Sequence, residues 1–371
     1  MEAAQAINVP KTEGIKYAGS KLKLLPEIVK LARKTEAKTM FDGFAGTTRV
    51  SQAFAQIGYG VVSNDISIWS KTFGLCYLKN KKSRKYYDEI IEHLNNLPGK
   101  NGWFTRHYGG ASESVNACKR GDLKKPFQIH NTRKLDAIRD EIEKINLNEV
   151  ETSVLLTSLV LALDKVDSTM GHHASYLKEW SPRSYKTIRL KVPQIFENYK
   201  KHDVLQGDIF RSLENVEVDL AYYDPPYGSN NEKMPPSRVR YASYYHLWTS
   251  IILNDKPDVF GKAMRRSDCS DRISASVFEE FRKNDDDKFI AVEAIRKLLK
   301  KTKAKYIILS YSSGGRATAK DLLEILENSG KIIDFVKIDY RKNVMASMRW
   351  TNEWVQPAKT RNEEYLFLIK K

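Results

Sequence analysis

The sequence predicts an α/β fold: one mixed sheet assembled from both ends of the chain and interrupted by a mainly helical insertion. Three observations predict it. Apolar runs of strand length alternate with helical periodicity over residues 21–66 and again from residue 203 onward. Between them lies a long stretch rich in lysines, aromatics and helical patterns, where strand signals are scarce. Two apolar runs end in acidic turns, Asp42-Gly43 and Asp224-Pro225-Pro226, where open α/β sheets place their sites.

Residues 21–31 carry apolar positions at helical spacing. Residues 39–44 read as a short strand running into a glycine turn. Residues 48–57 read as a helix, with Val50, Ala53, Phe54 and Ile57 on one side, and Gly58 to Gly60 end it. Residues 60–66 form a second strand ending at Asn64-Asp65. Strand, helix and strand in so few residues make a right-handed crossover of a parallel sheet. Residues 133–145 and 151–166 are helices of the insertion. The sheet returns with a strand end at 203–209 and a buried strand at 218–224. A helix at 293–300, a buried strand at 306–311 and a helix at 321–326 follow. Residues 332–339 and 365–369 then close the sheet as an antiparallel pair. Residues 1–66 and 202–371 thus make one domain, and 67–201 the insertion.

The chain has 371 residues, 62 of them Lys or Arg against 46 acidic, for a formal charge of +16. That excess favours a polyanionic partner, nucleic acid being the commonest, over charge that serves only solubility. With 41% hydrophobic and 29% charged residues, the composition excludes a disordered chain. Cys76, Cys118 and Cys269 lie far apart with no paired spacing, which fits free buried thiols in a reducing compartment. The amino terminus has no signal pattern. The longest apolar stretch, 154–163, is broken by Thr157 and Ser158 and falls short of the ~20 residues that span a bilayer. A cytoplasmic protein is expected.

Asp224-Pro225-Pro226-Tyr227 closes an apolar strand. Two prolines stiffen the loop, remove two amide donors and leave carbonyls free to accept. Asp224 adds a carboxylate and Tyr227 an aromatic plate. An aromatic amino group needs that set. Its lone pair is delocalised into the ring, so two acceptors on its hydrogens draw it toward a nucleophilic geometry and stabilise the charge that grows on nitrogen. A ring beside it fixes the plane of the base. The plainer alternative is a strand-to-loop turn with Asp as a cap and Tyr as packing.

Phe41-Asp42-Gly43-Phe44-Ala45-Gly46 joins a strand to a helix. Gly43 and Gly46 let a ligand approach the backbone, and the helix offers free amides to a carboxylate. Asp65 ends the next strand, where an acidic residue accepts from ribose hydroxyls. The loop lacks the GxGxxG spacing, so alone it fits another nucleotide equally well. With Asp224 downstream, S-adenosylmethionine is the better ligand.

Taken in order, FDGFAG, SNDI, QGDIF and YYDPPYG resemble the motif series of the Dam-like (alpha-order) adenine-specific DNA methyltransferases. Lys16-Tyr17-Ala18-Gly19-Ser20-Lys21 looks like the opening motif of that family, with Ser20 in place of its second glycine. The resemblance covers roughly residues 15–66 and 203–245, plus the strand at Tyr306. It implies a Rossmann-like S-adenosylmethionine-dependent methyltransferase sheet carrying a helical target-recognition insertion at 67–201. It implies that Tyr17 and Lys21 contact the methionyl end of the cofactor and that Asp42, Gly43, Phe44 and Gly46 line its pocket. Asp65 would hold the ribose, and Asp208 with Ile209 would face the cofactor adenine. Asp224, Pro225, Pro226 and Tyr227 would grip a target adenine flipped out of duplex DNA. The stretch from Asp65 to Asp208 is too long for a loop in a compact sheet. A monomer is the usual expectation for such a methylase, either paired with a restriction endonuclease or acting as an orphan. The alternatives are an RNA or other nucleobase-amine methyltransferase, and a DNA-binding protein without catalysis.

The stretch after Tyr227, with Gly228, Ser229, Asn230, Asn231, Arg238, Arg240, Tyr241, Tyr244 and Tyr245, suits a lid over a flipped base, or equally a solvated loop. The basic runs 79–85 and 119–125 lean to phosphate contacts. His172 and His173, beside Asp164 and Asp167, match no metal-ligand spacing and are expected at the surface or facing DNA. Trp103, Tyr108 and Trp180 are expected in the core, and Asp285 to Asp287 in a solvated turn.

Overall fold

A computed structural model describes residues 9–110, 125–228, 240–269, 276–339 and 363–371. Its centre is a seven-stranded sheet. The strands are β1 (Thr39–Asp42), β2 (Gly60–Asp65), β3 (Asp203–Gln206), β4 (Leu220–Tyr223), β5 (Tyr306–Ser312), β6 (Lys331–Asp339) and β7 (Glu363–Lys370). Their order is β6-β7-β5-β4-β1-β2-β3. Neighbours among β1 to β5 pair in parallel, and β7 runs antiparallel between β5 and β6. The closing antiparallel pair expected from the sequence is therefore present. Chain order reverses between β1 and β4, which puts a switch point at their carboxyl ends.

Helices α1 (Leu25–Ala32) and α2 (Arg49–Gln56) cover one face of the sheet, packing with Met40, Val61, Tyr222 and Ile308. The insertion supplies α3 (Ile68–Gly74), α4 (Arg84–Asn96), α5 (Trp103–Tyr108), α6 (Ile129–Lys144) and α7 (Glu149–Asp164). Helix α7 is apolar on all sides and buried along most of its length, as the centre of a helical cluster must be. Asn148 starts it with a reciprocal capping box to Glu151. A single short turn, α8 (Ile209–Ser212), follows β3. Beyond β4 come α9 (Tyr241–Tyr244) and α10 (His246–Leu253). Finally α11 (Ile290–Lys301) and α12 (Ala319–Glu327) cover the opposite face of the sheet. With both faces covered, β4 is buried at every position. The edge strand β6 instead alternates exposed and half-buried residues.

Residues 244–252 follow β4 in the chain, and the sequence places them with the sheet. They pack instead into the helical cluster with Trp69, Tyr108 and Leu159. The reason is composition: α10 reads His-Leu-Trp-Thr-Ser-Ile-Ile-Leu, with no charged face to turn to water. The histidine expectation is also corrected. His172 and His173 are 4% and 1% exposed, inside this cluster rather than at the surface. His172 stacks on Tyr244 and His173 meets the edge of Trp248. Tyr108 is buried, while Trp103 packs part-exposed against the cluster and Trp180 is partly exposed. Cys76 and Cys269 are buried and free, whereas Cys118 lies outside the described residues. So does most of the 119–125 basic run. Among the described residues no helix is long and apolar enough to cross a membrane.

Candidate active site

Parallel pairing of β1 with β4 sets Asp42 beside Tyr222, so the two acidic turns are neighbours. Gly43 N donates to Tyr222 O at 3.0 Å and ties them together. A cleft opens over these strand ends. Its lining joins Tyr17, Lys21, Gly43, Phe44, Asp65, Asp208 and Ile209 with Asp224, Pro225, Pro226 and Tyr227. Eleven of the thirteen residues picked from the sequence thus share one cleft. Asp42 and Gly46 stand outside its lining.

Asp42 is 1% exposed and its Oδ2 accepts from Ser51 N (3.1 Å) and Ser51 Oγ (2.6 Å). At the start of α2 the Ser51 amide is thus taken by the chain's own carboxylate. Burial pushes Asp42 up to about 7, and the Ser51 hydroxyl opposes it. Its Oδ1 is buried with no hydrogen-bond partner among the described residues. The glycines also serve packing. A Cβ on Gly43 would fall 2.7 Å from the Tyr223 ring. Gly46 has φ +48, and a Cβ there would come within 3.1 Å of the Tyr17 ring. Tyr17 itself stacks on Tyr245 at 4.8 Å between centroids. Both glycines make room for the chain's own aromatics, of which Tyr17 lines the cleft.

Asp65 Oδ2 accepts from Gly46 N (2.9 Å) and its Oδ1 from Ser67 N (2.8 Å), while burial raises its pKa. Asp208 caps α8 by accepting from Phe210 N at 3.0 Å, which leaves its other oxygen for the cleft. At the other strand end, Lys21 Nζ lies 2.8 Å from Asp224 Oδ2 and 3.3 Å from Glu364 Oε1. Burial lowers the pKa of Lys21, but Asp224 and Glu364 outweigh it and hold the ammonium charged. Burial pushes Asp224 up to about 6, against the pull of Lys21. The Tyr227 hydroxyl, with one proton to donate, lies within hydrogen-bond reach of both Asp224 and Glu364 Oε1 (2.6 Å), and its ring packs 4.7 Å from that of Tyr311.

Glu364 escapes a reading of the sequence. It stands beside Glu363, and alternation along β7 sends the two to opposite faces. Glu363 pairs with Lys337 at 2.9 Å, while Glu364 is 8% exposed within the site. Only the register with β5, Glu364 beside Ser312, separates them. Glu279, 2% exposed, also lines the cleft and accepts from Tyr241 N at 2.8 Å. Burial pushes it up to about 7. Of the expected lid, Tyr241 lines the cleft, but Tyr244 and Tyr245 are core residues at 8% and 0% exposure. Tyr245 accepts from Ala18 N at 2.7 Å, so it braces the opening motif. Ser229, Asn230, Asn231 and Arg238 lie outside the described residues.

A family model described as D12 class N6 adenine-specific DNA methyltransferase matches residues 17–313. The chain is 30% identical over 350 residues to modification methylase StsI of Streptococcus sanguinis, covering 88% of this chain and 48% of that protein. It is 29% identical over 341 residues to type II methyltransferase M.NlaIII of Neisseria lactamica, covering 88% and 91%. It is 25% identical over 376 residues to type II methyltransferase M.FokI of Planomicrobium okeanokoites, covering 96% and 53%. The chain therefore spans about half the length of two of these relatives and most of the third.

Proposed function

Because the chain belongs to the D12 class N6 adenine-specific DNA methyltransferase family, we propose that it moves a methyl group from S-adenosylmethionine to the exocyclic amine of adenine in duplex DNA. The observation that carries the reading is one cleft holding Asp224 to Tyr227 at one strand end and Gly43, Asp65 and Asp208 at its neighbours. The order of the cofactor motif, insertion and Asp224 motif supports the alpha-order, Dam-like subclass.

The residues present fit the cofactor. Tyr17 and Lys21 line the part of the cleft that suits the methionyl end, and Asp42 lies behind that lining with a buried Oδ1 that has no hydrogen-bond partner among the described residues. Asp65 suits the ribose diol, and Asp208 with Ile209 the adenine. What S-adenosylmethionine supplies when bound is an electrophilic methyl on a sulfonium. Everything else falls to the chain. Asp224 accepts from the target amine as it leaves Tyr227 and Lys21, and the Pro225 carbonyl takes the second hydrogen. Together they draw the nitrogen lone pair out of conjugation and stabilise the charge that develops there. The Tyr227 ring, braced by Tyr311, stacks on the extruded base. No general base is needed before transfer, so positioning and electrostatics carry the rate.

Residues 1–66 and 202–371 serve the chemistry, and the insertion 67–201 reads the DNA, with 244–252 packed into its core. The names of the relatives, modification methylase and type II methyltransferase, support a role as the modification half of a restriction system in the cytoplasm. The +16 charge suits the DNA, and a monomer suffices for modifying one strand per visit. The test is to methylate genomic DNA with the purified protein and map the modified bases. Asp224→Ala should abolish transfer while S-adenosylmethionine still raises the thermal midpoint. Wild-type transfer by that variant would overturn the mechanism.

A further inference from the structure

Arg316 sits in the turn after β5, against the residues that follow the amine-gripping motif. Its backbone N–H donates to Tyr227 O at 3.0 Å. Its guanidinium packs so closely on Gly228 that a Cβ there would fall 1.8 Å from Nη1. Gly228 also has φ +63, so space and backbone both demand glycine. Arg316 is only 5% exposed, and its buried Nη1 has no hydrogen-bond partner among the described residues. Arg240, 6% exposed, is near enough to repel it. Carboxylates near it among the described residues include Glu279 and Glu280. Glu279 Oε1 already takes Tyr241 N, and Glu280 Oε2 already takes Arg282 at 2.7 Å.

A buried guanidinium short of an acceptor is costly, and a docked anion with paired oxygens removes that cost. Arginine offers the planar fork that phosphate matches. Arg316 lies on Gly228 and is not part of the cleft wall that holds Asp65 and Asp208. That position points to the nucleic acid rather than to the cofactor's carboxylate. We propose that Arg316, with Arg240 beside it, seats a backbone phosphate of the strand whose adenine is held at Asp224. The proposal rests on the methyltransferase reading above. An extruded nucleotide brings its phosphates with it, and a seat for one of them offsets part of the unstacking cost.

The test is a cycle of protein and DNA changes on a short duplex containing the site mapped from genomic DNA. Phosphates flanking the target adenine are replaced one at a time by neutral methylphosphonate. One replacement should cost the wild type about tenfold in affinity, and Arg316→Met should cost about as much on ordinary DNA. The two changes together should cost no more than either alone. The slope of log affinity against log salt should fall by about one unit in the variant. Arg316→Lys, which keeps charge without the fork, should recover part of the loss and serves if the Met variant does not fold. Additive losses at every phosphate would overturn the proposal. So would loss of the S-adenosylmethionine thermal shift without DNA, which would assign the seat to the cofactor's carboxylate. Binding is read apart from methylation, so a wild type that binds without methylating would sink the enzymatic reading and leave the phosphate seat measurable.

Discussion

Tyr227 has one hydroxyl proton and two carboxylates within reach, Asp224 and Glu364. Lys21 is shared between the same two carboxylates. In the proposed reaction, when a target amine takes Asp224, Glu364 would keep both Lys21 and Tyr227 partnered inside a buried site. Glu364→Gln retains an acceptor for Tyr227 but strips the charge beside Lys21. It should lower the single-turnover methylation rate roughly tenfold, and Glu364→Ala further, since losing a hydrogen bond to a charged group costs about 1.5–3 kcal/mol. The cofactor-induced thermal shift should survive in both. Wild-type rates in both variants would remove Glu364 from the site's working parts. At this scale the sequence marks Asp224, Asp65 and Asp208, because each ends an apolar strand. It does not mark Glu364, because one residue of register decides which of two adjacent glutamates faces inward.

Among the elements, α7 holds the insertion together. Its buried residues run from Glu151 to Leu163, and it starts at a capping box. Asn148 accepts from Val150 N and Glu151 N at 3.0 Å each, and Asn148 N donates back to Glu151 at 3.3 Å. Asn148→Ala should cost about 1 kcal/mol of stability. Chemical denaturation checks this, with methylation at low temperature left unchanged. A stability equal to wild type would mean that tertiary packing alone fixes the start of α7. All the strands but β3 were legible within a residue or two, since apolar runs of strand length bounded by glycine and aspartate have few other readings; β3 stops at Gln206, three residues short of the expected 209. β1 ends at Asp42, two residues before its apolar pattern does, because Gly43 already turns to pack on Tyr223.

Across the whole molecule, the helical cluster buries His172, His173 and His246. Burial lowers the pKa of all three, His246 to about 4 and His173 well below its ordinary value. Unfolded histidine titrates near about 6.5. The folded state therefore binds these protons less readily than the unfolded chain. Their contribution is fully present above about pH 6.5 and is lost as pH falls toward the folded values. Buried Asp42, Glu279 and Asp224, all shifted upward, act in the opposite sense over the same range. A histidine variant isolates the first effect. Neither ring nitrogen of His173 has a hydrogen-bond partner among the described residues, so His173→Phe leaves no polar group stranded. The acid-induced loss of stability between pH 7 and pH 5 should be smaller in that variant than in the wild type. An unchanged difference between the two pH values would show that His173 can charge in place.

By itself the sequence determined the α/β class, the interrupted sheet, and the acidic strand ends that mark a site. These rest on local periodicity and on turn residues with few alternative uses. Tertiary structure alone decided that Glu364 on β7 and Arg316 in the turn after β5 reach the loop at Asp224, and that α10 packs into the helical cluster. Such meetings depend on strand order and register, which bring together residues that no spacing along the chain connects.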